Sequence, residues 1–222
     1  MQNTTTLKSQ AMASGFASKV IFFFALAILA SGLGAWVSLN YFMAFLAATP
    51  AVIYGLFAVE LILVFTSRIW SQKEGINKLL FFLFAFLTGV TLSPLLAVVL
   101  SNPAGAGMLT KALLISGMTF TGTAIWGATT KADLSGFRLF LMPTLIGMII
   151  ISVLGIFIPW GSTFELVFSG AGIILFSLFT AFDFQNLKNY PANAYIDAAL
   201  HLFLDIFNLF TFVLRFLTAQ ND

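Results

Sequence analysis

The sequence predicts an all-α integral membrane protein, and three features of its composition support that prediction. Of the 222 residues, 60% are hydrophobic and 8% are charged, whereas about a quarter of the residues in an ordinary soluble domain are charged. The mean hydropathy is +1.02, and phenylalanine alone occurs 27 times. A chain of this length cannot bury so much apolar surface in one water-soluble core. The composition therefore excludes a soluble globular protein, a disordered chain and a nucleic-acid binder.

The chain divides into seven stretches that each approach the ~20 apolar residues of a membrane-spanning helix. We predict an N-terminal segment over 1–19, a single seven-helix transmembrane domain over 20–217 and a C-terminal tail over 218–222. The connections are short and carry the turn residues Thr49-Pro50, Asn102-Pro103, Pro159-Trp160-Gly161 and Tyr190-Pro191. The predicted spans are Val20–Leu39, Ala51–Trp70, Leu79–Leu100, Ala112–Ala128, Leu139–Ile158, Phe164–Phe184 and Ile196–Leu217.

The first span follows Lys8 and Lys19 and passes through the small residues Ala30, Ser31 and Gly32. A basic segment, an apolar stretch and small residues also form the pattern of a cleavable signal peptide. Because the apolar stretch continues to Leu39, it is long enough to cross the membrane. We interpret it as a retained span.

The distribution of basic residues predicts the orientation of the spans. Lysine and arginine are enriched on the cytoplasmic side of membrane proteins, so the side with eight of them is predicted to be cytoplasmic and the side with Lys111 and Arg215 to be external. This places the N-terminus in the cytoplasm and, after seven crossings, the C-terminus outside. The eight are Lys8, Lys19, Arg68, Lys73, Lys78, Lys131, Arg138 and Lys188.

The second span contains Glu60 at its middle and Arg68 near its inner end. Ionisable groups at membrane depth are costly and are usually functional. We therefore predict that both residues support an ion pathway.

The third span has no ionisable residue in its interior, but it combines Gly89, Thr91, Ser93 and Pro94. Pro94 removes one backbone hydrogen bond, and Ser93 or Thr91 could satisfy the carbonyl that it frees. Two interpretations stay open for Gly89, Ser93 and Pro94: a packing kink and a gating hinge.

The fourth and fifth spans also lack ionisable residues in their interiors. Small residues in the fourth and sixth spans could allow other membrane proteins to pack closely, although internal helix packing explains them as well. These residues are Gly117, Gly122, Gly170 and Gly172.

The seventh span carries a polar stripe of Asp197, His201, Asp205 and Asn208, spaced by four, four and three residues. This spacing places all four on one face of a helix, while the opposite face is apolar. We therefore predict that the stripe faces the interior of the bundle and that the seventh helix is central.

Asp183, near the inner end of the sixth span, is the predicted partner of Asp205, because the two spans are joined by a short link. Two adjacent carboxyl groups cannot both ionise cheaply, so they are expected to share a proton. Raising the pH would then add charge, separate the pair or attract a cation. Carboxylate oxygens suit Ca²⁺, but Ca²⁺ prefers six to eight oxygen ligands. The prediction is therefore weak, transient Ca²⁺ occupancy at Asp183 and Asp205.

Three segments resemble the Bax inhibitor-1 family, and the short loops are similar to those of its bacterial members. They are Thr88–Leu96 (TGVTLSPLL), Ser177–Lys188 (SLFTAFDFQNLK), and His201–Phe210 (HLFLDIFNLF) followed by Leu214-Arg215-Phe216. The resemblance covers all seven spans in order. It implies a central seventh helix wrapped by the other six, and a calcium leak that an aspartate pair regulates with pH. Those aspartates fall on Asp183 and Asp205, and the family's acidic residue in the second span falls on Glu60.

The chain also departs from the family pattern. An arginine at the inner end of the second span is expected to pair with the sixth-span aspartate in the open state, but Ser71 stands at that position, and Arg68 or Lys73 is the candidate replacement. His201 stands where the family usually has a small hydroxyl residue, and Phe203 where it has tyrosine. Because histidine changes charge near neutral pH, we expect His201 to shift the pH response.

The sequence thus predicts a pH-sensitive calcium leak channel of the bacterial inner membrane, which is not an enzyme and needs no cofactor. Its predicted partners are the lipid bilayer, Ca²⁺ and H⁺. A proton-coupled secondary transporter and a non-conducting regulator that binds other membrane proteins remain alternatives. An intramembrane aspartyl protease is disfavoured because Phe203-Leu204, without a glycine, precedes Asp205. A retinal photoreceptor is excluded because the seventh span has no lysine for a Schiff base.

Overall fold

A computed structural model describes residues 4–155, 157–158 and 160–220, and the regular secondary structure of these residues is helical. A π-helical turn, Ser38–Phe42, follows the helix that ends at Val37. One 3₁₀ turn, Ser135–Phe137, precedes the helix that begins at Arg138, and another, Leu187–Asn189, follows the helix that ends at Asn186. Pro159, one of the predicted turn residues, lies outside the described residues. The α-helices of this part of the chain are α1 (Thr4–Val37), α2 (Met43–Ala48), α3 (Pro50–Phe65), α4 (Ser67–Trp70), α5 (Ile76–Ser101), α6 (Gly105–Thr129), α7 (Arg138–Leu154), α8 (Ser162–Asn186) and α9 (Tyr195–Ala219).

Within the described residues, six helical stretches are long and apolar enough to cross a membrane, so the prediction of an all-helical membrane protein is confirmed. The predicted second span is the shorter helix α3. The six stretches are Gly15–Ala48, Ile76–Ser101, Gly105–Thr129, Ser135–Leu154, Ser162–Asn189 and Tyr195–Ala219.

The second span is not the continuous helix Ala51–Trp70 that the sequence predicted, because the helix breaks at Thr66. The Thr66 hydroxyl and its backbone N–H both donate to the carbonyl of Ile62, at 2.6 and 2.9 Å. The backbone of Thr66, with φ −94° and ψ 2°, leaves the helical range, and the next backbone bond, from the Ile69 N–H to the Thr66 carbonyl at 2.8 Å, spans three residues instead of four. The chain resumes as α4, and the Trp70 indole donates back across the break to the carbonyl of Leu63 at 2.8 Å.

Three other predicted boundaries also differ. The first span was predicted to end at Leu39, but the helical stretch continues through the π-helical turn and α2 to Ala48. The fifth span was predicted to end at Ile158, but α7 ends at Leu154, where Gly155 leaves room for the Trp160 indole to pack against the backbone. The fourth span was predicted to start at Ala112, but α6 begins at Gly105. In the turn before this helix, the side chain of Asn102 accepts a hydrogen bond from the N–H of Ala104 at 2.9 Å.

The described residues fall into two compact units. The first contains the chain up to Val98 together with Leu187–Phe203. In this unit α1 and α5 pack with their backbones almost touching: a Cβ at Gly34 would overlap the backbone of Phe86, and one at Gly89 would overlap that of Ser31. Small residues at a helix interface permit such close approach.

The second unit contains Val99–Asn186 and the chain from Leu204 onward. Helix α6 lies closely on α8, since a Cβ at Gly127 would overlap the backbone of Ala181. Of the glycines that the sequence offered for helix contacts, those of α8 pack internally against phenylalanine rings of α9, whereas those of α6 have open space beyond them. The internal pair is Gly170 and Gly172, and the open pair is Gly117 and Gly122.

Candidate functional site

The structure brings together the two aspartates that the sequence paired. Asp183 lies in the last turn of α8 and Asp205 in the middle of α9, and their side chains are 6% and 3% exposed. The carboxyl group of Asp205 is within hydrogen-bonding contact of that of Asp183. Two buried carboxyl groups therefore meet directly at the seam between α8 and α9.

Aromatic packing fixes the seam beyond the aspartates. The ring of Phe212 on α9 stacks on Phe176 of α8, with centroids 5.8 Å apart. The same ring lies against Gly172, where a Cβ would come within 2.5 Å of it. Because glycine leaves a recess for the ring, the two helices are locked in the register that places Asp183 opposite Asp205.

An ion pair closes the far end of the same seam. One guanidinium nitrogen of Arg215 lies 3.0 and 2.8 Å from the two carboxylate oxygens of Glu165, at the start of α8. The guanidinium also lies over the ring of Phe168, 5.7 Å from its centroid. Glu165 is therefore held in an ion pair at the start of α8.

The aspartate pair has an unmet hydrogen-bonding requirement. Within the described residues, Oδ2 of Asp205 is the one buried side-chain oxygen or nitrogen without a hydrogen-bond partner. A buried polar atom without a partner is costly, so this oxygen favours a bound proton, a water molecule or a cation. The same part of the chain holds no group of three or more acidic, histidine or cysteine side chains that could hold a metal ion. A cation at the pair would therefore rely on water for most of its ligands.

Glu60 is a separate buried acid, in the first unit. It is 8% exposed on α3 and accepts a hydrogen bond from the Thr91 hydroxyl of α5 at 2.8 Å. That hydroxyl also lies 3.2 Å from the carbonyls of Leu87 and Thr88. Since a hydroxyl has one proton, Thr91 can serve only one of these three acceptors at a time.

A side chain supplies the hydrogen bond that Pro94 removes from the backbone of α5, as the sequence predicted. The carbonyl freed by Pro94 belongs to Val90, and the Ser93 hydroxyl donates to it at 2.7 Å. Ser38, at the start of the π-helical turn, lies 2.6 Å from the Ser93 hydroxyl. Because the Ser93 proton is committed to Val90, Ser38 must be the donor to Ser93. Gly89 packs against α1 one turn earlier, which supports a packing role; a hinge role stays a prediction.

The segment at the C-terminal end of the second span also departs from the arrangement that the family pattern implies. Arg68 and Lys73 are exposed, whereas Ser71 is buried. The Ser71 hydroxyl donates to the Asp197 carboxylate at 3.2 Å, and the Asn77 amide donates to the Ser71 carbonyl at 3.1 Å. Asp197 is thus paired with the residue that replaces the expected arginine.

The prediction that the whole polar stripe of α9 faces the interior was wrong. His201 is exposed, with its ring 6.4 Å from that of Tyr190, whereas Leu200 and Phe203 on the supposed outer face are each 1% exposed. Asn208 is half-buried, and its amide donates to the carbonyl of Leu204 on its own helix at 2.7 Å. Of the four stripe residues, only Asp205 is fully buried, because it lies at the edge of the stripe next to the covered face.

Comparison with known proteins identifies the family. A family model described as inhibitor of apoptosis-promoting Bax1 matches residues 13–222. The chain belongs to this Bax inhibitor-1 family. An uncharacterized protein of Campylobacter jejuni is 33% identical over 200 residues, which cover 90% of this chain and 86% of the relative. The inner membrane protein YbhL of Escherichia coli is 31% identical over 173 residues, 71% of this chain and 69% of the relative.

Two residues at these sites were not predicted from the sequence. Ser38 is a fully buried serine, and Phe212 fills the recess of Gly172. Ser71 was predicted only as the residue in place of the expected arginine, and its hydrogen bond to Asp197 was not predicted. The signal for Ser38 was a hydroxyl residue on another span at about the same membrane depth as Ser93. Phe212 carries no such signal, because phenylalanine is common throughout the membrane helices of this chain.

Proposed function

We propose that this member of the Bax inhibitor-1 family is a pH-sensitive Ca²⁺ leak channel, gated by Asp183 and Asp205. The observation that supports this proposal is the direct contact of two buried carboxyl groups, one of which has an oxygen without a partner. At low pH a shared proton holds the two carboxyls together. When that proton is lost, the second negative charge separates the carboxyls or attracts a cation. Ca²⁺ flux should therefore rise as the pH rises.

The architecture that accompanies this function has seven crossings. The sixteen residues of α3 rise only ~24 Å, but α3 and α4 together approach the ~30 Å thickness of the hydrocarbon core. They form the remaining crossing in the proposal, and α9 is the central helix wrapped by the other six. The burial of α9 on more than one face, with Leu200, Phe203 and Leu209 each 1% exposed or less, favours this position.

The remaining residues have supporting roles in the proposal. Ca²⁺ occupies Asp183 and Asp205 only transiently as the permeating ion, and no resident cofactor or enzymatic step is proposed. The N-terminus is cytoplasmic and the C-terminus external in the bacterial inner membrane, the membrane named for the Escherichia coli relative. Polar residues outside the pair contribute to the pathway or its response: Glu60, Arg68, Asp197, His201 and Asn208.

A proton-coupled secondary transporter is the second candidate, and Glu60 is the observation that favours it. A second buried carboxyl group with a hydroxyl partner is typical of a proton relay. Saturable uptake of another solute, driven by a proton gradient, would distinguish this function from a leak.

The proposal is tested by Ca²⁺ flux into proteoliposomes between pH 5 and 8. The wild-type flux should rise with pH, and Asp183→Asn and Asp205→Asn should each abolish that dependence. Asp133→Asn is the matched control, since Asp133 is exposed in a loop and a hydrogen bond from the Ser135 N–H lowers its pKa below the ordinary value of 3.8. Asp133 therefore stays ionised across the whole range. Absence of wild-type Ca²⁺ flux at every pH would reject the leak function.

A further inference from the structure

Two lysines of the first unit are held at one end of a pair of parallel helices. The residue numbers of the contacts between the first helical stretch and α5 increase together, from Phe23–Phe82 through Ser31–Thr88 to Ser38–Ser93. The two helices therefore run in the same direction. Each helix has a lysine four residues before its contact phenylalanine: Lys19 before Phe23, and Lys78 before Phe82. One helical turn separates each lysine from its ring, which places both ammonium groups at the same end of the interface.

Aromatic rings fix the positions of these ammonium groups. The Lys78 ammonium lies 5.7 Å from the centroid of the Phe23 ring, on the neighbouring helix, and the Lys19 ammonium lies 5.8 Å from that of Tyr195 on α9. The rings of Phe23 and Tyr195 are themselves 5.4 Å apart. Such cation–π contacts hold a flexible lysine in place without neutralising its charge. Because the two lysine side chains are already ordered, less side-chain entropy is lost when both ammonium groups bind one anion.

Neither ammonium group is neutralised within the described part of the chain, where no carboxylate forms an ion pair with Lys19 or Lys78. Beside them the helices present an apolar surface, with Phe22 of α1 and Leu79 and Leu83 of α5 exposed. An anionic head and an apolar tail on the same molecule would satisfy both parts of this surface. That combination is the chemistry of an anionic phospholipid.

We propose that Lys19 and Lys78 bind the phosphate of an anionic phospholipid, whose acyl chains lie along the exposed residues of α1 and α5. Tyr195 and Phe23 position the two ammonium groups. This site is separate from the aspartate pair and does not depend on Ca²⁺ conduction, so it can stand or fail independently of the proposed channel function.

The test is a native mass spectrometry titration of the full chain in detergent with phosphatidylglycerol and with phosphatidylcholine of the same acyl chains. The wild type should bind phosphatidylglycerol more tightly. Because each basic residue near a membrane surface contributes a factor of about five, Lys19→Gln/Lys78→Gln should weaken that binding by about thirtyfold. Lys19→Arg/Lys78→Arg should retain it, since arginine keeps the charge and the aromatic contact.

The matched control is Lys131→Gln/Arg138→Gln, which removes the same charge from exposed positions in the second unit. It should retain phosphatidylglycerol binding within about twofold, because those side chains are not part of the site. An equal loss in the control would show a general charge effect and overturn the proposal, as would equal wild-type affinity for the two lipids. Displacement of the lipid by free glycerol phosphate at similar concentration would also overturn it, because a soluble phosphate would then suffice. If the double variant does not fold, Lys19→Gln alone, with about a fivefold expected loss, replaces it.

Discussion

Among the described residues, the two buried acidic sites stabilise their carboxyl groups in different ways. In the first unit, Glu60 receives a hydrogen bond from a hydroxyl group, the side chain of Thr91. In the second unit, Asp205 meets another carboxyl group, Asp183, and keeps one oxygen without a partner. A hydroxyl can donate to a carboxylate or accept from a carboxylic acid, so it fits either protonation state of Glu60. Two carboxyls form a hydrogen bond only when at least one of them holds a proton.

The hydrogen bond of Glu60 is therefore compatible with either protonation state, whereas that of the aspartate pair requires a bound proton. Loss of a proton at Glu60 leaves its hydrogen bond in place, whereas loss of the shared proton at the aspartates removes theirs and adds repulsion. A pH-dependent change in structure is therefore expected in the second unit first. Substitutions at the two sites should therefore differ in the stability they cost and in how that cost depends on pH.

Removal of one aspartate should be the most damaging change. Asp183→Ala leaves Asp205 buried without its carboxyl partner, and a stranded buried acid costs about 3 kcal/mol. The thermal midpoint of helical circular dichroism in detergent should fall relative to the wild type, and the loss should be larger at pH 5 than at pH 8. At pH 5 the substitution removes a pair that shares a proton, whereas at pH 8 it also removes the repulsion between two carboxylates.

The double variant Asp183→Ala/Asp205→Ala serves as the control for that experiment. With no carboxyl left in the seam, part of the stability should return and its pH dependence should disappear. If the double variant is less stable than Asp183→Ala by the full cost of a second substitution, the two carboxyls are not coupled and the contrast between the sites fails.

Loss of the hydroxyl at the other site should be less damaging. Thr91→Val keeps the shape of the side chain but leaves Glu60 without a donor, at a cost of about 1–2 kcal/mol. The measurement is again the thermal midpoint. Thr123→Val is the control, because the Thr123 hydroxyl bonds only to carbonyls of its own helix, and its loss should cost under about 0.5 kcal/mol. Equal losses for Thr91 and Thr123 would mean that Glu60 gains nothing from its hydroxyl partner.

Much of this arrangement could be predicted from the sequence because it depends on local chemistry. Long apolar stretches define the helices, and proline at position 94 dictates which carbonyl is freed and which hydroxyl can reach it. The pairing of Asp183 with Asp205 follows from a short link between two helices and from the cost of a solitary buried acid.

The parts that were not predicted depend on which faces the neighbouring helices cover. The spacing of the polar stripe on α9 was read correctly, but Leu200 and Phe203 are buried and His201 is exposed. In a membrane, an apolar side chain is satisfied both by lipid and by protein, so hydrophobicity does not distinguish the two faces of such a helix. The break at Thr66 was missed as well, because threonine at that position carries no signal of a break. The Thr121 hydroxyl makes the same bond to a carbonyl four residues earlier inside the uninterrupted helix α6.

The smallest predicted effect is the coupling between Ser93 and Pro94, about 1 kcal/mol, which tests whether the Ser93 hydroxyl acts through the backbone of α5. Ser93→Ala leaves the Val90 carbonyl without its donor and should cost about 1–2 kcal/mol. In a Pro94→Ala background, the new N–H at position 94 can donate to that carbonyl, so the same serine substitution should cost only about 0.5 kcal/mol. The comparison is a double-mutant cycle on thermal stability, with an interaction of about 1 kcal/mol expected. An equal cost in both backgrounds would show that Ser93 stabilises the protein through Ser38 instead, and the buried hydroxyls of the first unit would then act between helices rather than within α5.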